Sequence, residues 1–177
     1  RDLIKRMRPS QFDDLVALVA LFRPGPLQSG MVDDFITRKH ATSKAHIDYL
    51  HPDLKPVLEE TYGVILYQEQ VMQVVNQLGD IPLRQAYTLI KAIGYKNMKV
   101  IDANRAQFIE GATRKGVTKT KGQELFDLIL KFAGYGFNKS HSTGYSIIAY
   151  QTAYLKTYFP VQYMAALLTY ESVSTDK

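Results

Sequence analysis

The fold is decided by residues 131–160, which read KFAGYGFNKSHSTGYSIIAYQTAYLKTYFP. A loop of small residues opens the stretch, and no Asp, Glu, Lys or Arg then occurs from Ser140 to Leu155. An uncharged run of this length predicts a helix over 142–159 that is buried in the core. Gly134 suits a left-handed residue that ends the preceding helix, and Gly136 permits a second tight turn. The candidates for the cap of the new helix are Asn138, Ser140 and Ser142.

The entrance of this helix carries cationic side chains where a helix favours an anion. Lys139 and His141 lie in or beside the first turn, and that turn contains no acidic residue. The helix dipole places partial positive charge there, so cations are favoured only if they share a bound anion with the free backbone N–H groups. We therefore expect a phosphate site formed by Asn138, Lys139, Ser140 and His141. The alternative is that Lys139 simply points into solvent.

Composition favours one globular domain with an anionic partner. The chain has 177 residues, of which 46% are hydrophobic, and this is enough for one core and short for two. No apolar run approaches the roughly 20 residues of a membrane span, and the charged opening does not resemble a secretory signal. The absence of cysteine excludes disulfides and suits a cytoplasmic location. A net charge of +5 and a pI near 9.3 favour nucleic acid or a nucleotide as partner.

Outward from the central stretch, the apolar pattern predicts an all-α fold. We expect nine or so helices joined by short loops, and at most one short strand. Residues 63–67 are either that buried strand or the lead-in to the next helix. The remaining segment, 41–50, is polar and is expected to be a surface connection. The predicted helices cover 2–7, 10–22, 30–40, 51–62, 68–78, 82–93, 98–115, a segment capped by Thr118 or Thr120 that runs to 133, 142–159, and a last helix from 160 through 168, after which the chain is expected to fray.

Acidic side chains in this sequence do not predict a catalytic metal pair. They occur as adjacent residues, which point about 100° apart on a helix, and no Asp-x-Asp is present. We therefore predict no catalytic residue and no metal site in this chain. The histidines near the polar segment lack helical spacing and are expected at the surface. The adjacent acidic pairs are 13–14, 33–34 and 59–60, and the histidines are His40, His46 and His51.

Cations on the predicted helix 82–93 are the other candidates for phosphate contacts. Arg84 and Lys91 are seven positions apart, so they lie two turns apart on one helix face, and Lys96 follows in the next loop. Such a face contacts successive phosphates, or it is an ordinary solvated surface. Neither a phosphate-binding G-x-x-x-x-G-K-[ST] loop nor a dinucleotide-binding G-x-G-x-x-G pattern occurs.

Three long motifs resemble those of the bacterial C-family replicative DNA polymerases, the DNA polymerase III alpha subunits. They are LVALFRPGPLQSGMVD at 18–33, GVILYQEQVM at 63–72 and FAGYGFNKSHS at 132–142. The resemblance implies a compact helical fingers domain that spans the whole chain and closes over the incoming deoxynucleoside triphosphate. Residues 1–40 would lie next to the palm and residues 51–169 would bind nucleotide. The catalytic aspartates and their Mg²⁺ would lie in the palm, so this chain alone is expected to be inactive.

The resemblance also implies partners and individual site residues. The partners would be primer–template DNA, deoxynucleoside triphosphates, the palm and thumb of the same chain and other replicase subunits, with no membrane. The departure is at Ile90, where the family carries the first of two adjacent arginines; Lys91 keeps the second charge and Arg84 would supply the lost one. The alternative to a polymerase module is a non-catalytic basic helical module that binds nucleic acid or a protein. The expected nucleotide-binding residues are Lys91, Lys96, Arg84, Asn138, Lys139, Ser140 and His141, and the expected DNA-binding residues are Arg23, Arg105 and Tyr145.

Overall fold

The chain folds as an assembly of α-helices, which confirms the predicted all-α class. A computed structural model describes residues 1–43 and 47–173, and within these ranges it contains eleven α-helices, two short 3-10 helices and no β-strand. His46 lies outside the described residues. The α-helices are α1 (Asp2–Met7), α2 (Phe12–Leu21), α3 (Pro24–Gln28), α4 (Met31–Lys39), α5 (Lys55–Leu58), α6 (Gln68–Gly79), α7 (Leu83–Gly94), α8 (Met98–Arg114), α9 (Lys119–Ala133), α10 (Lys139–Tyr158) and α11 (Pro160–Val173).

Helices α6 to α9 form the larger core. Each follows the previous one after a connection of three or four residues, so neighbouring helices run antiparallel. Their apolar faces meet around Leu78, Phe108 and Phe126, which are fully buried. Helices α6 and α8 approach each other at glycines, since a β-carbon on Gly111 would lie 2.9 Å from Cα of Gly79. We call α6–α9 the helical body.

A second core joins α1, α2 and α4 to residues 62–67. Met7, Leu21 and Phe35 are buried here together with Tyr67. Asp14 lies within this region, where its carboxylate accepts hydrogen bonds from the backbone amides of the two residues at the start of α2, Ser10 and Gln11. It also pairs with the ammonium of Lys39 at 3.0 Å, and both side chains are almost completely buried.

The Asp14 pair influences the ionisation of its neighbours. Burial alone would raise the pKa of Asp14, but hydrogen bonds from Ser10, Lys39 and Gln11 outweigh it and hold the pKa below its ordinary value. Burial, followed by the charge of Asp14, raises the pKa of Tyr62 to about 12. Tyr62 therefore stays protonated and donates its hydroxyl hydrogen to Asp14 over 3.3 Å.

The segment from 51 to 62 differs from the expected single helix. It consists of a 3-10 helix (Pro52–Leu54), α5 and a second 3-10 helix (Glu59–Thr61). The interruption follows from Pro56, which has no N–H to continue the helical hydrogen-bond ladder. Gly63, with a φ of +79°, then turns the chain into a buried extended run. This run forms one isolated parallel bridge, between Tyr67 and Phe137, and no strand, and it leads directly into α6, as the second of the two expectations has it.

Two further expectations about the central stretch are wrong. Gly134 has a φ of −62° and is not left-handed, because α9 ends in a tight right-handed turn. Helix α10 is not buried: apart from Ser142 and Ser146 it is mostly exposed, and Ile148 retains 59% of its accessible surface. An uncharged sequence shows only that a helix tolerates burial. Among the described helices, α2 is the principal neighbour of α10, and it covers one narrow face of α10.

Helix α3 was not predicted from the sequence. Pro24 and Pro26 indeed end α2 before Arg23, but Pro24 then occupies the first turn of a new short helix, where the missing N–H costs nothing. The last helix continues to Val173, whereas residues 174–177, where fraying was expected, lie outside the described ranges. In the part of the chain that the structure describes, no helix combines the length and the apolar character that a membrane span requires.

Candidate functional site

One end of the helical body gathers most of the predicted site residues. Because α6 and α7 run antiparallel, the start of α6 and the end of α7 lie at the same end of the body, and the start of α8 and the end of α9 lie there too. Gln68, the first residue of α6, donates its amide to the carbonyl of Phe137 over 3.0 Å. The entrance of α10 is thereby attached to this end, which we call the site end.

At the site end, Asn138 caps α10. Its Oδ1 accepts hydrogen bonds from the amide of His141 at 2.9 Å and from the hydroxyl of Ser140 at 2.6 Å. Of the three candidate caps in the sequence, the structure thus selects Asn138. Its acceptor satisfies one of the free N–H groups of the first turn.

Carboxylates from other elements approach the entrance of α10. The amide of Lys139 donates to both oxygens of Glu69 at 3.1 Å, and the ammonium of Lys139 pairs with Glu60. The ammonium also lies 5.5 Å from the ring centroid of Tyr67. The unfavourable position of a lysine in a first turn is therefore offset by acidic groups that are distant in sequence. Sequence reasoning missed both glutamates, although Glu69 lies inside the motif at 63–72.

His141 lies in a row of aromatic rings. Its imidazole centroid is 5.7 Å from that of Phe137 and 4.9 Å from that of Tyr145. Tyr145 is 58% exposed, and its ring is available on the outer surface of α10. The row therefore runs from the loop before α10 to a solvent-facing aromatic side chain.

Arg23, predicted to bind DNA, points its donors at the protein. Its Nε donates to the carbonyl of Ala20 at 2.7 Å and one terminal nitrogen donates to the carbonyl of Tyr135 at 2.6 Å. The guanidinium carbon lies 4.5 Å from the ring centroid of Phe137. Burial lowers the pKa of Arg23 from its ordinary value, though an arginine remains charged. Arg23 thus joins the end of α2 to the loop before α10.

The cations of α7 lie on its exposed side. The ammonium of Lys91 lies 4.6 Å from the ring centroid of Tyr87, one turn earlier, which is a cation–π distance. Lys96 follows the helix with a φ of +55°, a left-handed conformation that turns the chain into α8. Arg84 is exposed near the start of α7, and therefore about 10 Å along the axis from Lys91. Ile90 is 8% exposed and packs in the larger core.

Arg105 lies away from the site end. It pairs with Asp127 at 2.6 Å and its guanidinium carbon lies 4.9 Å from the ring centroid of Phe126. Both partners belong to α9, so this arginine ties α8 to α9 in the structure.

The acidic side chains that the structure describes do not gather into a magnesium site. In residues 1–43 and 47–173, no three His, Asp or Glu side chains come together in a way that could hold a metal ion. Asp14 is committed to Lys39, Asp33 pairs with Arg6, and Glu60 pairs with Lys139. A two-metal centre needs carboxylates free to bridge both ions, and these carboxylates already have cationic partners.

Comparison with known proteins gives a consistent assignment. Residues 1–116 match the family described as the bacterial DNA polymerase III alpha subunit finger domain. The whole chain is 53% identical to the DNA polymerase III subunit alpha of Haemophilus influenzae, of which it spans 16%. It is 52% identical to that of Pseudomonas aeruginosa and 51% identical to that of Escherichia coli K12, spanning 15% and 16% of their lengths. The chain therefore belongs to the family of bacterial DNA polymerase III alpha subunit finger domains, which its residues 1–116 match.

Proposed function

We propose that this domain binds the incoming deoxynucleoside triphosphate and the template during DNA-directed DNA synthesis. The observation that carries the proposal is that the end of α7 and the entrance of α10, both predicted to contact phosphate, lie at the same end of the helical body in a chain that matches the finger-domain family. The reaction is attack of the primer 3′-hydroxyl on the α-phosphate. This domain contributes by positioning the nucleotide and neutralising its charge.

Lys91 and Lys96 contact the triphosphate in this proposal. Lys91 is exposed and supported by the ring of Tyr87, so its ammonium is held at the surface near the end of α7. Arg84 lies on the same face and takes the outer part of the phosphate chain. Ile90 adds no charge, because its side chain packs in the core.

The entrance of α10 supplies the second set of phosphate contacts. Asn138, Ser140 and His141 hold the first turn in shape, and the ammonium of Lys139 is paired with Glu60. On nucleotide binding, the ammonium of Lys139 exchanges Glu60 for a phosphate oxygen. Glu69 keeps the Lys139 amide and so fixes the backbone while this exchange occurs.

Tyr145 is the residue that we propose for DNA contact, since an exposed ring stacks on bases of any sequence. Arg23 and Arg105 were predicted to bind DNA as well, but their guanidinium groups engage protein carbonyls and a carboxylate. Arg23 supports the row of rings that leads through Phe137 and His141 to Tyr145, whereas Arg105 ties α8 to α9.

The rest of the enzyme completes the proposal. The palm of the longer chain supplies the catalytic aspartates and Mg²⁺, and this domain binds none. Residues 1–40 lie next to the palm, and residues 51–169 bind nucleotide. Further partners are the thumb, primer–template DNA and other replicase subunits. The proposed location is the cytoplasm.

The test is Lys91→Ala in the complete alpha subunit. We expect the KM for nucleotide to rise about tenfold, because a charge-assisted contact to phosphate contributes about 1.5–3 kcal/mol. The melting temperature should not change, since an exposed cation adds little to folding. Arg84→Ala should give a smaller rise, and Arg114→Ala, at the opposite end of the helical body, should give none.

A different result would favour a general nucleic-acid module. In that case Lys91→Ala would weaken duplex binding and leave the KM for nucleotide unchanged. A titration with triphosphate against monophosphate separates the two functions independently, because only the nucleotide site prefers the triphosphate. A normal KM for both Lys91→Ala and Arg84→Ala would contradict the proposed function.

A further inference from the structure

Residues 22–25 form a turn that leads from the end of α2 into α3. This turn fits closely against the loop before α10, although more than 100 residues separate the two segments. Arg23 contributes the hydrogen bond to the carbonyl of Tyr135 and the contact with the Phe137 ring. Because Gly25 has no side chain, the ring of Tyr135 can approach its backbone closely: a β-carbon there would come within 2.6 Å of Cε1 of Tyr135. The turn therefore holds both the backbone and the aromatic side chain of residue 135.

The same loop is held from its other side by the end of the extended run. Phe137 donates its amide to the carbonyl of Leu66 at 3.1 Å and accepts from the amide of Gln68 at 3.0 Å. These backbone bonds fix the position of Phe137, and the amide of Tyr135 donates to the carbonyl of Phe132 at 2.9 Å. Arg23 holds the other side of that residue, since its terminal nitrogen donates to the carbonyl of Tyr135.

The contacts continue from Arg23 towards the proposed nucleotide site. Phe137 lies between the guanidinium of Arg23 and the imidazole of His141, at 4.5 Å and 5.7 Å respectively. A shift of Arg23 therefore moves the ring against which His141 rests. Arginine suits this place because its planar group donates in two directions and stacks on a ring at the same time, which an ammonium cannot do.

We propose that Arg23 and Gly25 are positioning residues that set the affinity for the incoming nucleotide without touching it. This inference rests on the proposed function of the α10 entrance. Arg23 orients Tyr135 and Phe137 through its contacts, and Gly25 lets the Tyr135 ring lie against the turn. The loop is thereby preformed, so nucleotide binding does not have to order it.

The test uses the complete alpha subunit with Arg23→Gln and Gly25→Ala. Arg23→Gln removes the charge and the planar guanidinium group with its several donors, whereas Gly25→Ala displaces the Tyr135 ring and leaves Arg23 intact. We expect both to raise the KM for nucleotide about tenfold, since small misplacements of binding groups have effects of this size or larger. The kcat at saturating nucleotide and the Kd for primed DNA should stay within about twofold of the parent values.

Three control variants are matched to these changes. Arg23→Lys keeps the charge near Phe137 but lacks the planar guanidinium group, and it should raise the KM for nucleotide by about threefold. Arg114→Gln removes an arginine at the opposite end of the helical body, and Gly144→Ala adds a methyl where no atom lies within 4 Å. Both should leave KM, kcat and DNA affinity unchanged.

The outcomes separate this inference from a purely structural role. A structural tie would lower the melting temperature and the apparent kcat, by reducing the folded fraction, and leave KM alone; that result overturns the proposal. Weaker DNA binding with a normal KM overturns it too, because Arg23 would then contact DNA. If Arg23→Gln does not fold, Gly25→Ala and Arg23→Lys decide, and normal KM values for both overturn it.

Lys91→Ala distinguishes failure of the inference from failure of the proposed function. Raised KM for Lys91→Ala with normal KM for the Arg23 and Gly25 variants rejects only the positioning role. Normal KM for all of these variants and for Arg84→Ala rejects the nucleotide site as well.

Discussion

The helical body and the last two helices are both rich in apolar residues, yet they use them differently. In the helical body, Leu78 and Phe126 are completely buried, whereas in α10 and α11 Ile148 and Leu168 remain 59% and 63% exposed. The body closes on itself because four helices each present an apolar face to the others. Helix α10 has one principal partner, α2, and attaches to it through small residues: the hydroxyl of Ser142 donates to the carbonyl of Val16.

The contrast teaches that apolar content and burial are separate properties. A helix is buried only where another element covers it, and among the described residues no element covers the side of α10 and α11 on which Ile148 and Leu168 lie.

The largest expected difference between the two regions comes from truncating a leucine in each. Leu78→Ala should lower the free energy of unfolding of the 177-residue chain by about 3 kcal/mol, because it leaves a cavity in a closed core. Leu168→Ala should lower it by less than about 0.5 kcal/mol. Urea denaturation followed by circular dichroism measures both. Equal losses would mean that α11 is packed in the isolated chain and would break the comparison.

A glycine pair gives the next largest effect. Gly111→Ala should destabilise the chain by about 2 kcal/mol, because the added methyl overlaps the backbone of Gly79. Gly144→Ala, in α10, meets no atom within 4 Å and should be neutral or stabilise by up to about 1 kcal/mol through helix propensity. Thermal unfolding of the two variants is the measurement. Destabilisation by Gly144→Ala would show that α10 is covered after all.

Acid should affect the α2 region before the helical body. Asp14 is the one buried carboxylate among the described residues, and its pKa is held below the ordinary value. Its contribution is therefore fully present above the unfolded pKa of about 3.9 and is lost as the pH falls through the lower folded value. Urea unfolding below about pH 4 should report the loss.

Asp14→Asn is the control for that pH dependence. The variant should be less stable at neutral pH, because it leaves Lys39 buried without its charge partner, and should lose less stability on acidification. An unchanged acid response in Asp14→Asn would assign the effect to other carboxylates.

The smallest expected effect is at the site end, where the two regions meet. Triphosphate should raise the melting temperature of the chain by a few degrees through mass action, about what 1 kcal/mol produces in a domain of this size. Lys139→Gln should abolish the rise, and Lys115→Gln, beside Asp80 at the opposite end, should keep it. If Lys139→Gln retains the rise, the anion binds elsewhere.

Local features of the fold could be predicted from sequence. The start of α8, the cap at Thr118 and the length of α6 follow from periodicity, capping residues and glycines within a few positions of each helix end. The three motifs also placed the chain in its family.

Long-range features could not be predicted. The partners of Lys139 are 70 and 79 positions away, and the carbonyl that Arg23 contacts is 112 positions away. Periodicity describes one element at a time and carries no information about which carboxylate or carbonyl lies opposite a cation. For the same reason, the uncharged run of α10 predicted a helix correctly and its burial wrongly.

The contact between Gly79 and Gly111 has a mechanical consequence. Where two backbones touch without side chains between them, no side chain can change rotamer to let the helices slide. We therefore expect α6 and α8 to move together at this crossing, so that a displacement of α6 carries α8 with it.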